Sequence, residues 1–362
     1  MKSCRQHGDD CKHRRRDILN QKQHVTIKQV AEAAGVSQMT VSRVMNKQGL
    51  VKETTREKVQ AAIDKLHYRP NLSARRLAGG NSLFLGLVYH NPSPGYLAKI
   101  LIGALNGCRA NSHHLVLEDL GQRAPFREPE KAAQHLFDVG LDGVIITPPL
   151  SNFAPFIEAL ERLGVAIVKV APMNIHDEPL RVAMDDALAV KTMLGHMIGL
   201  GHRTIGFIKG PPDHPSTHHR FQGFCKTMKE HGIFPGEDYI VEGDFTYRSG
   251  FEAAHHFLKL ETRPTAIFAS NDDMAAGVVS VAHMNGIKVP ADLSVVGFDD
   301  TEIASTIWPA LTTVKQPISE MSVQAVNLLT AYVRGNREDI AKFTELMDFE
   351  LVHRDSLAPP TA

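Results

Sequence analysis

Polar side chains between residues 37 and 46 offer the hydrogen-bond donors and acceptors that DNA recognition requires. Guanidinium and amide groups pair with base edges in the major groove, and hydroxyl groups suit phosphate oxygens. The candidate DNA-contacting residues in this segment are Ser37, Gln38, Met39, Thr40, Ser42, Arg43 and Asn46. A solvated helical cap on an enzyme would also expose polar side chains, so the set alone leaves that alternative open.

Two short helices are predicted to position these residues. Thr26-Ile-Lys-Gln29 is a capping box, in which Thr26 accepts a hydrogen bond from a first-turn amide and Gln29 reaches back. Gly35 favours the tight turn that ends this helix, and Ser37 is expected to cap a second helix, Gln38–Met45. Helix, short glycine turn and helix follow in the order of a helix-turn-helix motif.

A third helix is predicted to pack on the first two. Thr54 or Thr55 is expected to cap it, Glu57 completes a second capping box, and Pro70 is expected to end it. The apolar spacing that supports this packing is Val59, Ala62, Ile63 and Leu66.

Charge is distributed unevenly along a chain whose formal net charge is zero. Residues 1–80 carry 17 Lys and Arg against 7 Asp and Glu, whereas the remainder carries 23 against 33. Basic side chains gain affinity for DNA by releasing counterions condensed on phosphates, while an acidic body limits indiscriminate binding. The N-terminal part is therefore expected to bind a polyanion. Residues 1–23 lack periodicity and are expected to form a disordered basic extension.

Composition excludes several classes of protein. The 362 residues, 43% hydrophobic, suffice for one or two compact domains. Cys4, Cys11, Cys108 and Cys225 include no CxxC pair, which argues against a disulfide framework or a zinc ribbon. No apolar run reaches the roughly 20 residues of a spanning helix, so a cytoplasmic protein without a membrane partner is expected. HExxH, GxSxG and P-loop motifs are missing, so we expect no catalytic residues, no cofactor and no enzyme activity.

The segment VTIKQVAEAAGVSQMTVSRVMN, residues 25–46, closely resembles the DNA-binding start of the lactose-repressor (LacI) family of bacterial regulators. Residues 55–78, including YRPNLSARRLA, resemble the continuation of that region. The resemblance implies that the second helix enters the major groove, with Gln38 and Met39 at variable base-reading positions and Arg43 at a common base contact. Met39 offers no hydrogen bond and suits only an apolar contact, for example with a thymine methyl group.

Residues 71–80 are too few for a stable isolated helix, because nucleation of a helix is costly. Asn71 can cap such a helix and Gly79-Gly80 can end it. The resemblance implies a hinge helix that folds on the operator against its copy in a second subunit, with Leu77 wedged into the minor groove. The remaining candidate DNA-binding residues of this region are Thr26, Thr55, Ala74 and Arg75.

From Leu83 onward, short apolar runs alternate with amphipathic stretches, which predicts parallel sheets covered by helices on both faces. So many strands over roughly 280 residues favour two doubly wound lobes, with any ligand beyond the carboxyl ends of the strands. The predicted strands are Leu83–Tyr89, Leu115–Glu118, Gly143–Thr147, Ala166–Val170, Ile205–Lys209, Tyr239–Glu242, Ala266–Ser270, Ser294–Phe298 and Thr312–Gln316. The predicted helices include Tyr96–Ala110, Ala187–Leu200, Phe221–His231 and Met274–Asn285.

The resemblance continues through GHRTIG (201–206), ASND (269–272) and VVGFDD (295–300). It implies a periplasmic-binding-protein-like effector domain with Arg220, Phe245, Asn271, Asp299 and Gln316 in the cleft. Guanidinium, amide and carboxylate groups form paired hydrogen bonds with vicinal hydroxyls, and an aromatic ring covers the apolar face of a sugar. Structural alternatives stay open, because Asn271 could cap a helix, Asp299 could lie in a turn and Phe245 could be core.

Two segments depart from the family pattern. Lys169 to Pro172 stands where many sugar-responsive members carry an aspartate, so one contact is missing or Lys169 supplies a positive group for an acidic sugar. The predicted loop 211–219 brings His214, His218 and His219 near Arg220. Polar surface, pH tuning of ligand affinity and a metal site are the alternatives, and no metal is expected because no Cys or Glu completes a ligand pair.

The sequence therefore predicts a sequence-specific transcriptional repressor that binds a palindromic DNA operator as a homodimer, controlled by a sugar or sugar acid. The alternatives are a purine corepressor and, in another class, a solute-binding protein or sugar-modifying enzyme with a helical cap. The expected domains are the extension 1–23, the helix-turn-helix domain 24–70, the hinge helix 71–80 and the effector-binding and dimerisation domain 81–357.

Overall fold

The computed structural model describes residues 27–45, 51–66, 82–90, 93–119, 124–176, 178–336, 340, 343–344 and 346–361. The chain forms two compact units, Met1–Gly80 and Asn81–Ala362. In its described part the first unit is helical, whereas the second alternates strands with helices. None of the described helices is long and apolar enough to cross a membrane.

Three helices of the first unit share a small apolar core. They are α1 (Ile27–Ala34), α2 (Gln38–Met45) and α3 (Glu53–Lys65). Val30, Val41 and Val59, one from each helix, are fully buried. Gly35 has a φ of +63° between α1 and α2, and the Thr40 amide donates to Ser37 Oγ at 3.1 Å, which caps α2. The predicted glycine turn and second helix are confirmed.

The third helix begins earlier than the sequence indicated. Its N-cap is Lys52 and its first residue is Glu53, so Thr54 and Thr55 lie in the first turn and the predicted side-chain cap is wrong. The Lys52 carbonyl accepts the Thr55 amide at 2.9 Å, so the first turn is closed by the backbone. The C-cap of α3 also precedes Pro70, the residue predicted to end it.

Two sheets form the framework of the second unit. The first sheet contains β1 (Phe84–Val88), β2 (His114–Glu118), β3 (Gly143–Ile146), β4 (Ile167–Val170) and β5 (Arg181–Val182). The second contains β6 (Ile205–Lys209), β7 (Ile240–Glu242), β8 (Ala266–Ala269), β9 (Ser294–Asp299), β10 (Thr312–Lys315) and β11 (Glu350–Val352). Strand order is β2-β1-β3-β4-β5 in one and β11-β10-β9-β8-β6-β7 in the other. All pairs are parallel except β10 with β11, which confirms two doubly wound lobes.

Helices cover both faces of each sheet. They are α4 (Pro94–Ala110), α5 (Ala124–Arg127), α6 (Pro129–Val139), α7 (Ala154–Arg162), α8 (Asp186–Gly199), α9 (Pro215–Glu230), α10 (Tyr247–Phe257), α11 (Asp272–Met284), α12 (Glu302–Thr306) and α13 (Ile318–Val333). Successive side chains of a strand point to opposite faces, so Leu87 and Val88 enter different clusters, as do Phe207 and Ile208. Both faces of the central strands are therefore buried.

The chain passes between the two lobes at three places. It leaves the first lobe before α8, returns between β10 and α13, and leaves again after α13, which packs on α4 and the first sheet. The first and third crossings lie side by side, because the Met347 amide donates to the Ala183 carbonyl at 2.9 Å. The lobes are therefore joined by three separate connections, two of which are hydrogen-bonded to each other.

Three elements differ from the sequence prediction. The short strands β5 and β11 escaped it, since two or three residues carry too little pattern. Helix α9 begins at Pro215 instead of Phe221, because proline suits the first turn of a helix, where its missing amide hydrogen costs nothing. Much of the predicted histidine loop is therefore helical.

Candidate functional site

The predicted DNA-contacting face of α2 is open to solvent. Gln38 and Arg43 are exposed, and Met39 is 64% exposed. Thr40 is half-buried, and its hydroxyl lies 2.9 Å from that of Ser37. Helix α2 thus buries its valines and presents an amide, a thioether and a guanidinium group outward.

Two further candidate DNA-binding residues lie on helices α2 and α3. Thr55 is half-buried in the first turn of α3, and Ser42 lies within α2. The predicted hinge helix lies outside the described residues, as do the candidates Thr26, Asn46, Asn71, Ala74, Arg75 and Leu77.

A narrow cavity of about 20 Å³ lies between the two lobes of the second unit, at the carboxyl ends of the strands. Its lining comes from both lobes and from the crossing after β10. The lining residues are Ser93, Tyr96, Pro148, Ala171, Asp186, His214, Ser216, Arg220, Phe245, Asn271, Asp299 and Gln316. The structure thus brings together all five residues that the sequence placed in a cleft. Such a position is typical of ligand sites in doubly wound folds.

Arg220 is the central charged group of the cavity. Its Nε donates to Asp186 Oδ1 at 2.7 Å, its Nη1 donates to the Ser270 carbonyl, and Nη1 lies 3.8 Å from Asp299 Oδ1. The guanidinium carbon lies 3.7 Å from the centre of the Phe298 ring. Arg220 is only 4% exposed, so its orientation is fixed before any ligand binds.

Asp299 faces Arg220 at the end of β9. Burial raises the pKa of its carboxyl group to about 7, although Arg220 and a hydrogen bond donated by Gln316 Nε2 favour the charged form. The carboxylates of Asp273 and Asp186 raise the pKa further. Asp299 thus lies between its neutral and charged states near pH 7, where hydroxyl donors from a ligand would favour the carboxylate.

Backbone strain is concentrated around the same cavity. Ala171, Phe245, Asp299 and Asp300 have φ values of +44°, +66°, +109° and +51°. Side-chain-bearing residues adopt this region at a cost of about 1–3 kcal/mol, and such residues cluster at binding sites. Buried Asp272 supports the turn after β9, since its carboxylate accepts the Thr301 amide at 2.7 Å.

Phe245 and Asn271 are held together. Asn271 Nδ2 donates to the Phe245 carbonyl at 2.8 Å, while Asn271 Oδ1 accepts the Met274 amide at 2.9 Å and caps α11. The cap that was one alternative for Asn271 is therefore present, on a residue that also lines the cavity. A Cβ at Gly210 would lie 2.2 Å from the Phe245 ring, so only glycine permits this ring position.

Several lining residues escaped sequence reasoning, notably Ser93, Tyr96, Asp186 and Ser216. Tyr96 belongs to the apolar stripe of α4 and had the pattern of a core residue. Burial and the nearby Asp299 raise the pKa of its hydroxyl group, which stays protonated as a donor. For these four residues the only signal in the sequence is their position, since each lies near the start of a helix that follows a predicted strand.

The lobes are also joined across the rim of the cavity. Ser93 Oγ of the first lobe donates to Asp273 Oδ2 of the second at 2.5 Å. Lys99 Nζ donates to the Asp300 carbonyl, also at 2.5 Å. These bonds hold the cleft in the arrangement observed.

Two predictions about basic residues need correction. Lys169 Nζ lies 2.9 Å from both carboxylate oxygens of Glu178 and does not line the cavity, so it replaces no ligand contact. His218 is exposed on α9, whereas His214 is buried, and the three histidines do not share one site. Burial and the neighbouring Arg220 lower the pKa of His214 to about 3, so His214 does not tune ligand affinity near neutral pH. Among the described residues, no group of three or more His, Cys, Asp or Glu is placed to hold a metal ion.

Comparison with known proteins agrees with these two regions. Residues 26–71 match the family described as bacterial regulatory proteins, lacI family, and residues 194–357 match a periplasmic binding protein-like domain. The HTH-type transcriptional repressor PurR of Pectobacterium carotovorum subsp. carotovorum (strain PC1) is 34% identical over 321 residues, covering 87% of this chain and 92% of that protein. The chain belongs to the LacI family of bacterial regulatory proteins.

Two solved structures resemble this LacI-family chain over nearly its whole length. The complex of the transcriptional regulator CelR with cellobiose has a TM-score of 0.68 at 29% identity, covering 92% of this chain and 99% of that one. The Lac repressor dimer bound to operator and the anti-inducer ONPF has a TM-score of 0.68 at 30% identity, with the same coverage. The chain is accordingly a DNA-binding transcriptional regulator controlled by a ligand, and the relatives named here are regulators rather than enzymes.

Proposed function

We propose that this regulator represses transcription as a homodimer on a palindromic operator, and that a sugar or sugar acid in the inter-lobe cavity controls operator affinity. DNA binding is assigned to residues 24–70 with the hinge 71–80, and ligand binding and dimerisation to 81–357. The protein acts in the cytoplasm and carries out no catalysis.

The exposed face of α2 supports the DNA-binding part of the proposal. Gln38 and Arg43 offer polar groups to base edges, and the exposed Met39 suits an apolar contact. One helix-turn-helix reads too few base pairs for specificity, so a two-fold dimer on two half-sites is expected. The Lac repressor, a relative of this chain, has been solved as a dimer bound to operator.

The observation that carries the ligand part is the convergence of Arg220, Asp299 and Gln316 from three separate elements in one buried cavity. Asp299 accepts and Arg220 donates along fixed directions, which suits vicinal hydroxyls. The Phe245 ring offers a flat apolar surface beside them, and CelR is a relative solved with cellobiose.

Control of operator affinity requires that the ligand favour one arrangement of the lobes over another. A ligand in the cavity contacts Ser93 and Tyr96 of the first lobe together with Arg220 and Asp299 of the second. The ligand therefore changes the balance between different arrangements of the two lobes. In the arrangement observed, Ser93 of the first lobe is hydrogen-bonded to Asp273 of the second. The two hinge segments of the dimer transmit this change to the DNA-binding heads.

Selection from a library of randomised palindromes at low ionic strength tests the DNA-binding part. We expect one palindrome to be enriched, with two chains per duplex by mass photometry and much weaker retention of a single half-site. Equal retention of all duplexes, or one chain per full site, contradicts the proposal.

A purine is the second candidate ligand. The planar ring of Phe245 beside the donor and acceptor groups of His214 and Asp299 would also suit a flat heterocycle. Thermal-shift measurements with sugars and with nucleobases separate the two candidates, because only the bound class raises the melting temperature.

A further inference from the structure

The cavity contains more carboxyl groups than permanently charged basic groups. Among the described lining residues, Asp186 and Asp299 are acids, and Arg220 is the residue with a permanent positive charge. Arg220 is already paired with both carboxylates. Asp273 adds a third carboxylate at the rim, where Ser93 donates to it. A ligand carboxylate or phosphate would therefore enter a buried site whose positive charge is already balanced, and a buried unpaired charge is costly.

Other cations near the cavity are also engaged. Lys169 is paired with Glu178, and Lys99 donates to the Asp300 carbonyl. His90 is close enough to influence His214 but does not line the cavity. Within the described surroundings, the hydroxyl groups of a ligand would therefore find many acceptors. An anionic ligand would find no lysine or arginine that is not already engaged.

His214 is a buried lining residue whose ring nitrogens remain available to a ligand. It is the N-cap of α9, makes no side-chain capping bond, and is only 4% exposed. Its ring packs edge-on against Phe245, with 5.1 Å between the ring centres. No hydrogen bond joins either ring nitrogen to another described residue. A neutral imidazole has one donor and one acceptor, which matches a hydroxyl group and cannot neutralise an anion.

We propose that the cavity selects an uncharged sugar over the carboxylate and phosphate forms of that sugar, and that His214 holds one of its hydroxyl groups. This inference rests on the proposed effector site and narrows it. The acid pair around Arg220 determines the charge of the ligand, and the buried imidazole beside Phe245 determines how the ring is held.

Calorimetric titration of the full-length protein tests this inference with matched ligands. The probes are glucose, galactose and cellobiose, the acids glucuronate and galacturonate, and the 6-phosphates of glucose and galactose with the 6′-phosphate of cellobiose, all of which keep the sugar ring closed. We expect at least one neutral sugar to bind, with its anionic counterparts at least tenfold weaker, a change that corresponds to about 1.4 kcal/mol. An anionic member that binds as tightly as its neutral parent overturns the inference, and so does a panel in which no neutral sugar binds.

Substitutions at residue 214 test the role of the imidazole. His214→Ala is expected to weaken binding of the neutral sugar by roughly tenfold, because one hydrogen bond to the ligand is lost. His214→Arg is expected to reverse the charge preference toward the acid, which a merely structural role would not do. The control is His218→Ala, one turn further along α9 and exposed, which should leave affinity unchanged. Unchanged affinity in His214→Ala, or an unreversed preference in His214→Arg, overturns the assignment of His214.

Operator retention distinguishes failure of this inference from failure of the proposed function. If the protein binds one palindrome preferentially, and an anionic metabolite weakens or strengthens that binding, only the charge selection is wrong. If no palindrome is preferred, the proposed function itself fails, whatever the calorimeter reports.

Discussion

The two candidate sites differ in how their side chains are held. On α2, Gln38, Met39 and Arg43 project from a helix whose core consists of valines, and their exposure leaves them little part in folding. In the cavity, Arg220 and Asn271 are almost fully buried, and each also bonds to protein groups that hold the lobe together. Recognition and folding are thus separate on α2 and combined in the cavity.

This difference has a consequence for variation. Exposed residues of α2 are free to change with the operator, because their replacement costs little stability. Cavity residues must satisfy the fold and the ligand together, so specificity is expected to vary at positions with spare hydrogen-bonding capacity, such as His214.

Removal of Arg220 should produce the largest effect. Arg220→Ala leaves Asp186 and Asp299 buried without their cation, and breaking a buried pair costs about 3–5 kcal/mol of the free energy of unfolding. Urea denaturation measures this loss, and the ligand response should disappear as well. The control is Arg162→Ala, an exposed partner of Glu130, where the change should stay within about 0.5 kcal/mol. Equal stability of the two variants would remove the proposed difference between the sites.

Removal of Arg43 should affect DNA binding alone. Arg43→Ala is expected to weaken operator binding by roughly tenfold or more, since a bidentate base contact is worth about 1–3 kcal/mol. Gel-shift titration measures the affinity, while the melting temperature should not change because the side chain is exposed. Arg248→Ala, which removes an exposed arginine from the second unit, serves as the control and should retain the operator. Undiminished retention by Arg43→Ala would remove the recognition-helix assignment.

Two helix caps compare the sites directly. Ser37→Ala removes the cap of α2 and should cost about 1 kcal/mol of stability. Asn271→Ala removes the cap of α11 and also the bond to the Phe245 carbonyl, so it should cost about 2 kcal/mol and weaken ligand binding. Asn271→Ser keeps a capping oxygen and should recover part of the stability without the ligand affinity. Equal losses for Ser37→Ala and Asn271→Ala would mean that the bond to Phe245 contributes little.

The smallest expected effect is a pH dependence of ligand affinity. Because the pKa of Asp299 lies near 7 and ligand hydroxyls donate to the carboxylate form, the bound ligand should lower this pKa. Affinity for a neutral sugar should therefore rise by up to about tenfold from pH 6 to pH 8. The other titratable groups around Asp299 are Arg220, Asp186, Asp272, Asp273 and Tyr96. Calorimetry across this range measures the slope, and Asp299→Asn should flatten it. An affinity that falls with pH contradicts this role of Asp299.

Much of the fold could be predicted from the sequence, because the spacing of apolar residues and the positions of turn and capping residues indicate the same elements. Local structure is specified by features such as the glycine turn at Gly35, the cap at Ser37 and the buried run Ile205–Lys209. Tertiary packing then preserves these local structures. The start of α3 was predicted wrongly because Thr54 and Glu57 have the spacing of a capping box. In the structure the helix begins at Glu53, and its N-cap Lys52 makes no side-chain capping bond. Strand β11 was missed because a three-residue antiparallel edge has no readable period.

The cavity could be predicted only in part. Four of its five predicted residues lie at or just after strand ends, and Arg220 lies in the helix that follows β6, so topology brings them together once two lobes are assumed. Ser93 and Tyr96 could not be found in the same way, since their position depends on how the first lobe packs against the second. The sequence placed His214 near Arg220, but it did not predict that His214 is buried at the N-cap of α9. The prediction for Lys169 failed for a different reason. Its positive charge suited an acidic ligand, but its ammonium group is paired with Glu178 outside the cavity.

The central claim is that an occupant of the cavity sets the grip of the DNA-binding heads on an operator. The most direct test measures the dissociation constant of the full-length protein for its selected palindrome, with and without the neutral sugar that binds most tightly. We predict a change of at least tenfold, lost in Arg220→Ala. An operator affinity that stays the same at saturating sugar would contradict the account.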